Sequence, residues 1–133
     1  MMEAARFNGQ VAIVTGGWRG IGRAIALKLA GEGARVVVNY HRAAAKAEAA
    51  VKEIEDQGGQ ALAYQADVSD EDSVQGLINF ALNQFGRIDV LVANAATVRD
   101  QLAAVMTVDQ WDTVINTNLR GPFLCIRAVL PQM

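Results

Sequence analysis

Thr15-Gly16-Gly17-Trp18-Arg19-Gly20-Ile21-Gly22 follows the apolar run Val11-Ala12-Ile13-Val14 and leads directly into an amphipathic helical pattern. The order is strand, glycine turn, helix. A helix N-terminus presents unpaired N–H groups and the positive end of a dipole, and glycine lets an anion reach the backbone where a Cβ would otherwise stand. A nucleotide diphosphate suits that arrangement. The spacing is Gly16-x-x-x-Gly20-x-Gly22 rather than Gly-x-Gly-x-x-Gly, and no Gly-Lys-Ser/Thr follows, which excludes a Walker loop. Glycines here would equally serve a tight turn that packs helix on strand.

Outward from this turn, strands and helices alternate with no repeat, low-complexity tract or Pro/Ser-rich linker, which is the pattern of a parallel sheet built from βαβ units. Strands are expected over 11–15, 35–40, 61–68 and 88–95, and continuous apolar runs such as Val36-Val37-Val38 suit strands covered on both faces. The spacing of Val74, Leu77, Ile78, Ala81, Leu82 and Phe85 predicts a helix with one apolar stripe. Ser69 and Asp72 resemble a capping box at its start, and Gly86 stops it. An alanine-rich helix is expected over 43–57, ending at Gly58-Gly59. A last helix opens with the capping pair Thr107 and Gln110 and runs through Trp111, Val114, Ile115, Phe123 and Ile126, with Pro122 kinking it near Asn118.

The 133 residues are 52% hydrophobic with a formal net charge of -2, enough apolar material for one core, so a single domain is expected over 1–133. Scattered Lys and Arg in a slightly acidic chain give no electrostatic ground for binding nucleic acid. No apolar run approaches the roughly 18 residues of a membrane span. Met1-Met2-Glu3-Ala4-Ala5-Arg6 lacks the apolar centre of a signal peptide, and a cytoplasmic location is the expectation. One cysteine, Cys125, and one histidine, His41, do not make a metal site; Cys125, in Phe123-Leu124-Cys125-Ile126, reads as core filler.

With Thr15 ahead of it and Arg19-Gly20-Ile21-Gly22 behind, the glycine turn resembles that of the short-chain dehydrogenase/reductase family, in particular its 3-oxoacyl-acyl-carrier-protein reductase branch. Three further stretches carry the resemblance in order: Asp67-Val68, Ala93-Asn94-Ala95-Ala96, and Trp111-Asp112-Thr113-Val114-Ile115-Asn116-Thr117-Asn118-Leu119. The implied fold is α/β, a Rossmann-type doubly wound parallel sheet of about four strands in the order 3-2-1-4 with flanking helices. A family member is roughly twice this length, and Leu130-Pro131-Gln132-Met133 stops on an apolar helical pattern with no Gly or Asn cap. The expectation is therefore an N-terminal cofactor-binding half, with strand four left as an apolar edge.

The resemblance implies a cofactor site made by Gly16, Trp18, Arg19, Gly20, Ile21, Gly22, Asn39, Asp67, Val68, Asn94, Ala95 and Ala96, with Asn118 as a catalytic residue. NAD usually meets an acidic residue near the end of strand two. Here that stretch reads Asn39-Tyr40-His41-Arg42, so nothing opposes a phosphate, and Arg19 offers it a guanidinium. NADP is the expected cofactor. By resemblance Asp67 meets the adenine amino group and Val68 lends its backbone, although Asp67 also suits the start of a loop before the next helix. Asn94 holds the second place of an Asn-Asn-Ala-Gly motif in which Ala93 and Ala96 replace the first Asn and the Gly. Trp18 stands where a small residue is usual, and the residues alone leave open whether it stacks on adenine, clashes with the ribose phosphate or is an exposed ring over the mouth of the site.

Asn118 matches an asparagine that breaks helix regularity and helps hold a water in the family's proton relay. The family's Ser and Tyr-x-x-x-Lys do not occur in these residues: Tyr40 and Tyr64 are followed four places on by Ala44 and Val68. The implied activity is NADP-dependent reduction of a ketone to a secondary alcohol, as in fatty acid biosynthesis, with a small-molecule or acyl-carrier-bound substrate and a homo-oligomeric parent enzyme. A non-catalytic nucleotide-binding or assembly module is the alternative. A methyltransferase is disfavoured, because it would want an acidic residue at the end of strand two.

Overall fold

The computed structural model describes residues 5–133; the signal-peptide expectation rests mainly on Met1 to Ala4, which lie outside them. Four strands, β1 (Val11–Val14), β2 (Arg35–Tyr40), β3 (Gln60–Gln65) and β4 (Val90–Val92), form one sheet in the order β3-β2-β1-β4. All three pairings are parallel, with Ile13 of β1 registered between Val37 of β2 and Leu91 of β4. This is the expected order. Among the described residues β4 pairs on one side only.

Helices cover both faces, and the period-two alternation of the strands decides which face each side chain serves. Ala12, Val14, Val36 and Val38 pack against α1 (Gly20–Gly31) and α2 (Ala44–Asp56) through Ala26, Leu29, Ala47, Val51 and Ile54. Ile13 and Val37 point the other way, to Leu77, Ile78 and Ala81 of α3 (Glu71–Phe85) and Val129 at the end of α5 (Gly121–Val129). A third cluster, Val68, Val74, Leu124 and Cys125, closes α5 onto α3. Cys125 is core, as expected, and burial pushes its thiol up to about 11, far from a nucleophile's range.

The structure shortens two strands. β3 ends at Gln65 rather than 68, because the Asp67 carboxylate accepts the Ser69 N–H at 3.0 Å and turns the chain out of the sheet. β4 spans Val90–Val92 rather than 88–95, since the Asn94 N–H is taken by the Val92 carbonyl and by Thr15 Oγ1. The cap of α3 also differs from expectation. Asp70, not Ser69, is the N-cap, accepting the Ser73 N–H at 2.8 Å, because the Ser69 hydroxyl is already donated to Asp67 at 2.7 Å. Gly86 ends α3 in the left-handed conformation, as the sequence requires.

Thr107 and Gln110 do form a reciprocal capping box at the start of α4 (Val108–Ile115). The expected interruption takes the form of a π-helical turn, Asn116–Arg120, between α4 and α5. Pro122 explains the place. It has no N–H to return to the preceding turn, so the ladder opens just ahead of it.

Candidate functional site

The carboxyl ends of all four strands open into one cleft of about 790 Å³, between the glycine turn on one side and the segment after β4 with the α4 end on the other. β1 lies between β2 and β4; the crossovers through α1 and α2 run on one face of the sheet, and the crossover from β3 through α3 to β4 runs on the other. That is a topological switch point, where α/β sheets bind ligands.

Three side chains shape the turn from behind. Thr15, at the end of β1, accepts the N–H groups of Asn94 (2.9 Å) and Ala95 (3.0 Å) on its hydroxyl. The Asn94 amide donates to the carbonyls of Thr15 and Gly16, both at 3.1 Å. Asn39 Oδ1 accepts the Gly16 N–H at 3.2 Å, and its backbone carbonyl accepts the Gly17 N–H at 3.2 Å. The turn is thereby tied to β2 and to the segment after β4 before any ligand arrives.

Two glycines are required by this packing, and a third by what is left open. Gly16 has φ +62°, and a Cβ on it would stand 2.9 Å from the Ala95 Cα. A Cβ on Gly22 would overlap Asn94 Nδ2 and come 2.6 Å from the Gly16 carbonyl oxygen. Gly20 has φ +55° and nothing within 4 Å of its Cβ position, so its backbone faces open space. Arg19, at the N-cap of α1, is extended and makes no side-chain cap, and the first turn holds no acidic residue. The N–H groups at the start of α1 are therefore presented to the cleft without a protein acceptor. α2, whose N-cap Ala43 also lines the cleft, is uncapped in the same way, whereas α3 and α4 have side-chain caps.

Asn39 requires a correction. Its side chain does not turn outward to a ribose; it is 2% exposed and donates to the carbonyls of Tyr40 (3.3 Å), Tyr64 (3.3 Å) and Ala66 (3.2 Å). Every polar atom is used in joining β2, the β3 end and the glycine turn. Sequence position alone suggested a ligand contact because the residue sits at the strand end; its burial is a tertiary property. Asn39 still borders the cleft, and His41 and Arg42, just beyond, are exposed and line it beside Asn39.

Asp67 lines the cleft with Ser69, and its carboxylate lies 4.0 Å from the His41 imidazole. Partial burial works to raise its pKa, but the Ser69 hydroxyl and N–H, together with the charges of His41 and Arg42, outweigh burial and hold the carboxyl below its ordinary value. Asp67 thus starts the loop and also lines the cleft. Val68 borders the cleft while its side chain packs in the cluster with Val74 and Leu124. Asn94, Ala95 and Ala96 line the wall opposite α1, and Ile21 and Gly20 the near wall.

Asn118 is placed differently. It sits in the π-helical turn, and both ends of its amide are spent on one residue: Oδ1 accepts the Thr97 N–H at 2.8 Å and Nδ2 donates to the Thr97 carbonyl at 2.9 Å. Its neighbours Asn116 and Thr117, with Thr113 one turn earlier, line the cleft; Asn118 does not. The sequence reading missed these three together with Thr97 and Arg99. The i, i+3 spacing of Thr113 and Asn116 was the available signal, since it puts two uncharged polar residues on one face of the helix.

Trp18 is half-buried beside the turn, packed on the cluster between α1, α2 and the sheet. The Arg19 guanidinium lies 4.7 Å from its ring centroid and the Lys46 ammonium 5.4 Å.

Comparison with known proteins agrees with this geometry. The sequence model of the short chain dehydrogenases matches residues 10–133. The 3-oxoacyl-[acyl-carrier-protein] reductase FabG of Staphylococcus aureus is 52% identical over 122 residues, covering 92% of this chain and 50% of that protein. The 3-oxoacyl-[acyl-carrier-protein] reductase of Synechocystis sp. is 52% identical over 124 residues, with 93% and 50% covered. The chain thus spans about half the length of the curated relatives it matches. Among solved structures, a short chain dehydrogenase from Burkholderia cenocepacia in complex with NADP superposes with a TM-score of 0.93 at 38% identity, over 96% of this chain and 52% of that one. A metagenomic short-chain oxidoreductase in complex with NADP gives 0.91 at 41% identity, over 96% and 57%.

Proposed function

The chain belongs to the short chain dehydrogenase family, and from that premise we propose that it forms the NADP-binding part of an oxidoreductase that reduces a ketone to a secondary alcohol, with a 3-oxoacyl group on acyl carrier protein as the substrate. The observation that carries the cofactor reading is the glycine turn. Gly20 faces open space, α1 starts without a cap, and Asn39, Asn94 and Thr15 brace the turn from behind. A diphosphate accepts hydrogen bonds from the α1 N–H groups, and the shape of the turn is set before it binds, so little ordering cost falls on the ligand.

Bound NADPH would supply the hydride equivalent; the chain's residues bind and orient it. Asp67 and Arg19 both line the cleft; in this reading Asp67 accepts from the adenine amino group and Arg19 pairs with the 2′-phosphate. Asn118 is proposed as a positioning residue, since its amide locks Thr97 and so fixes the wall of the cleft after β4. A cytoplasmic, homo-oligomeric enzyme goes with this reading. NADP in the solved neighbours and the names of the curated relatives support the NADP-dependent reductase reading.

A second reading is a nucleotide-binding module without catalysis, since the residues that line the cleft read as a cofactor site. One experiment separates the two. The protein encoded by the complete gene is assayed by NADPH absorbance with an acetoacetyl thioester, alongside NADPH binding by titration. Binding with turnover supports the reductase, binding without turnover supports the module, and absence of binding removes both.

A further inference from the structure

Trp18 is the residue that the cofactor turn does not require. Five basic side chains, Arg23, Lys28, Lys52, Arg87 and Arg127, each meet a carboxylate. Among the described residues Arg19 and Lys46, like Arg35, Arg42, Arg99 and Arg120, form no such ion pair, and these two lie against one indole ring. They come from different elements, Arg19 from the α1 N-cap and Lys46 from the first turn of α2, and two helix N-termini without side-chain caps add positive potential at the same place. Like charges gathered in this way repel, and the negative face of the indole offsets part of that cost. The ring itself is held by packing on the α1 and α2 side of the sheet. The result is a pair of cations on one ring with no carboxylate in ion-pair range among the described residues.

We infer that Trp18 is a positioning residue for cofactor selection: its ring gathers the Arg19 guanidinium and the Lys46 ammonium beside the glycine turn as a clamp for a ribose phosphate. The inference rests on the NADP reading above and adds two residues to it. A dianionic phosphate entering between the two cations relieves their repulsion, and both can donate to its oxygens. A ribose hydroxyl gains little there. Trp18 acts through the cations and not by stacking on the base.

The test measures dissociation constants of NADPH, NADH, adenosine 2′,5′-bisphosphate and 5′-AMP for the protein and for Trp18→Leu, Trp18→Phe, Lys46→Ala and Arg19→Ala. Loss of a cation–π contact corresponds to about twofold to fivefold per cation. Trp18→Leu should therefore weaken NADPH and the bisphosphate about threefold to tenfold, while NADH and 5′-AMP stay within about twofold; Lys46→Ala should act in the same direction. Trp18→Phe keeps an aromatic face and should recover most of the loss. Equal weakening of NADPH and NADH by Trp18→Leu would show stacking on adenine and overturn the inference. An unchanged affinity ratio with a lowered unfolding temperature would show packing alone and overturn it too. If Arg19→Ala also leaves the ratio unchanged, the 2′-phosphate reading itself fails; if Arg19→Ala shifts the ratio and Trp18→Leu does not, only the clamp fails.

Discussion

Asn94 occupies the space that a side chain on Gly22 would need. The amide of Asn94 reaches across from the segment after β4 to the carbonyls of Thr15 and Gly16, and the first turn of α1 passes so close that only a hydrogen fits at Gly22. One contact therefore joins three parts of the cleft wall: the glycine turn, the helix and the β4 end. Gly22→Ala should push α1 off this amide, lowering stability by about 1–3 kcal/mol, typical for overpacking, and weakening dinucleotide binding at least tenfold. Chemical denaturation with NADPH titration checks both, and a variant that binds as tightly as the parent would show that the contact is not tight in solution.

Asn39→Asp should destabilise the protein rather than exchange one cofactor for the other. Asn39 Nδ2 faces three carbonyls, and a carboxylate there loses all three donations and sets a buried charge against them. Unsatisfied buried groups cost about 1–3 kcal/mol, more when charged. Affinity for NADPH and NADH should fall together with the unfolding temperature. An unchanged unfolding temperature with a preference moved toward NADH would put Asn39 back at the ribose.

Arg19→Ala should weaken NADPH binding roughly tenfold to a hundredfold and leave NADH nearly unchanged, since one charge-assisted hydrogen bond contributes about 1.5–3 kcal/mol. Arg19 has no carboxylate to release among the described residues, so the loss reads the phosphate contact directly. Isothermal titration with both cofactors at fixed salt is the measurement, and equal losses would contradict the assignment.

Asp67 gives a pH dependence of known sign. Its folded pKa lies below the ordinary 3.8, so it binds fewer protons folded than unfolded near that pH. Its stabilising contribution is present above about 3.8 and is lost as pH falls through the lower folded value. The carboxylate is substantially exposed, which keeps the effect small. Asp67→Asn should remove part of the fall in stability as pH drops below about 3.8; parallel curves for the two proteins would show that the Ser69 contacts do not persist in solution.

Asn118→Ala frees the Thr97 backbone and should cost about 1–2 kcal/mol for two modest hydrogen bonds. If Asn118 positions the cleft wall, amide exchange at Thr97 quickens and KM for the ketone rises in the complete enzyme. A fall in kcat with KM and exchange unchanged would instead place Asn118 in the proton relay.

Much of the fold was legible in the residues because its determinants are local. Apolar runs of strand length, the Thr107 and Gln110 pair, Gly86 and the interruption ahead of Pro122 each act over a few residues, and each appears where the sequence puts it. The ends of β3 and β4 were overextended because apolar character continues past the point where hydrogen bonds from Ser69 and Thr15 turn the chain. Those partners compete with the sheet for the same backbone groups, and a linear pattern does not show the competition.

The sequence by itself determined a parallel α/β sheet with a glycine turn after its first strand, because strand and helix periods and glycine conformations are properties of neighbouring residues. Only the tertiary structure decided what the polar residues at the strand ends do. Asn39 became a buried brace, Asn118 a clasp on Thr97, and Trp18 a surface for two cations, although position in the chain marked Asn39 as a cofactor contact and Asn118 as a catalytic residue. The reason is physical: a polar side chain binds whichever partner lies nearest in space, and beside the adjacent Tyr40 and Arg19 these three meet partners 21 to 28 residues away, set in place by the packing of the whole sheet.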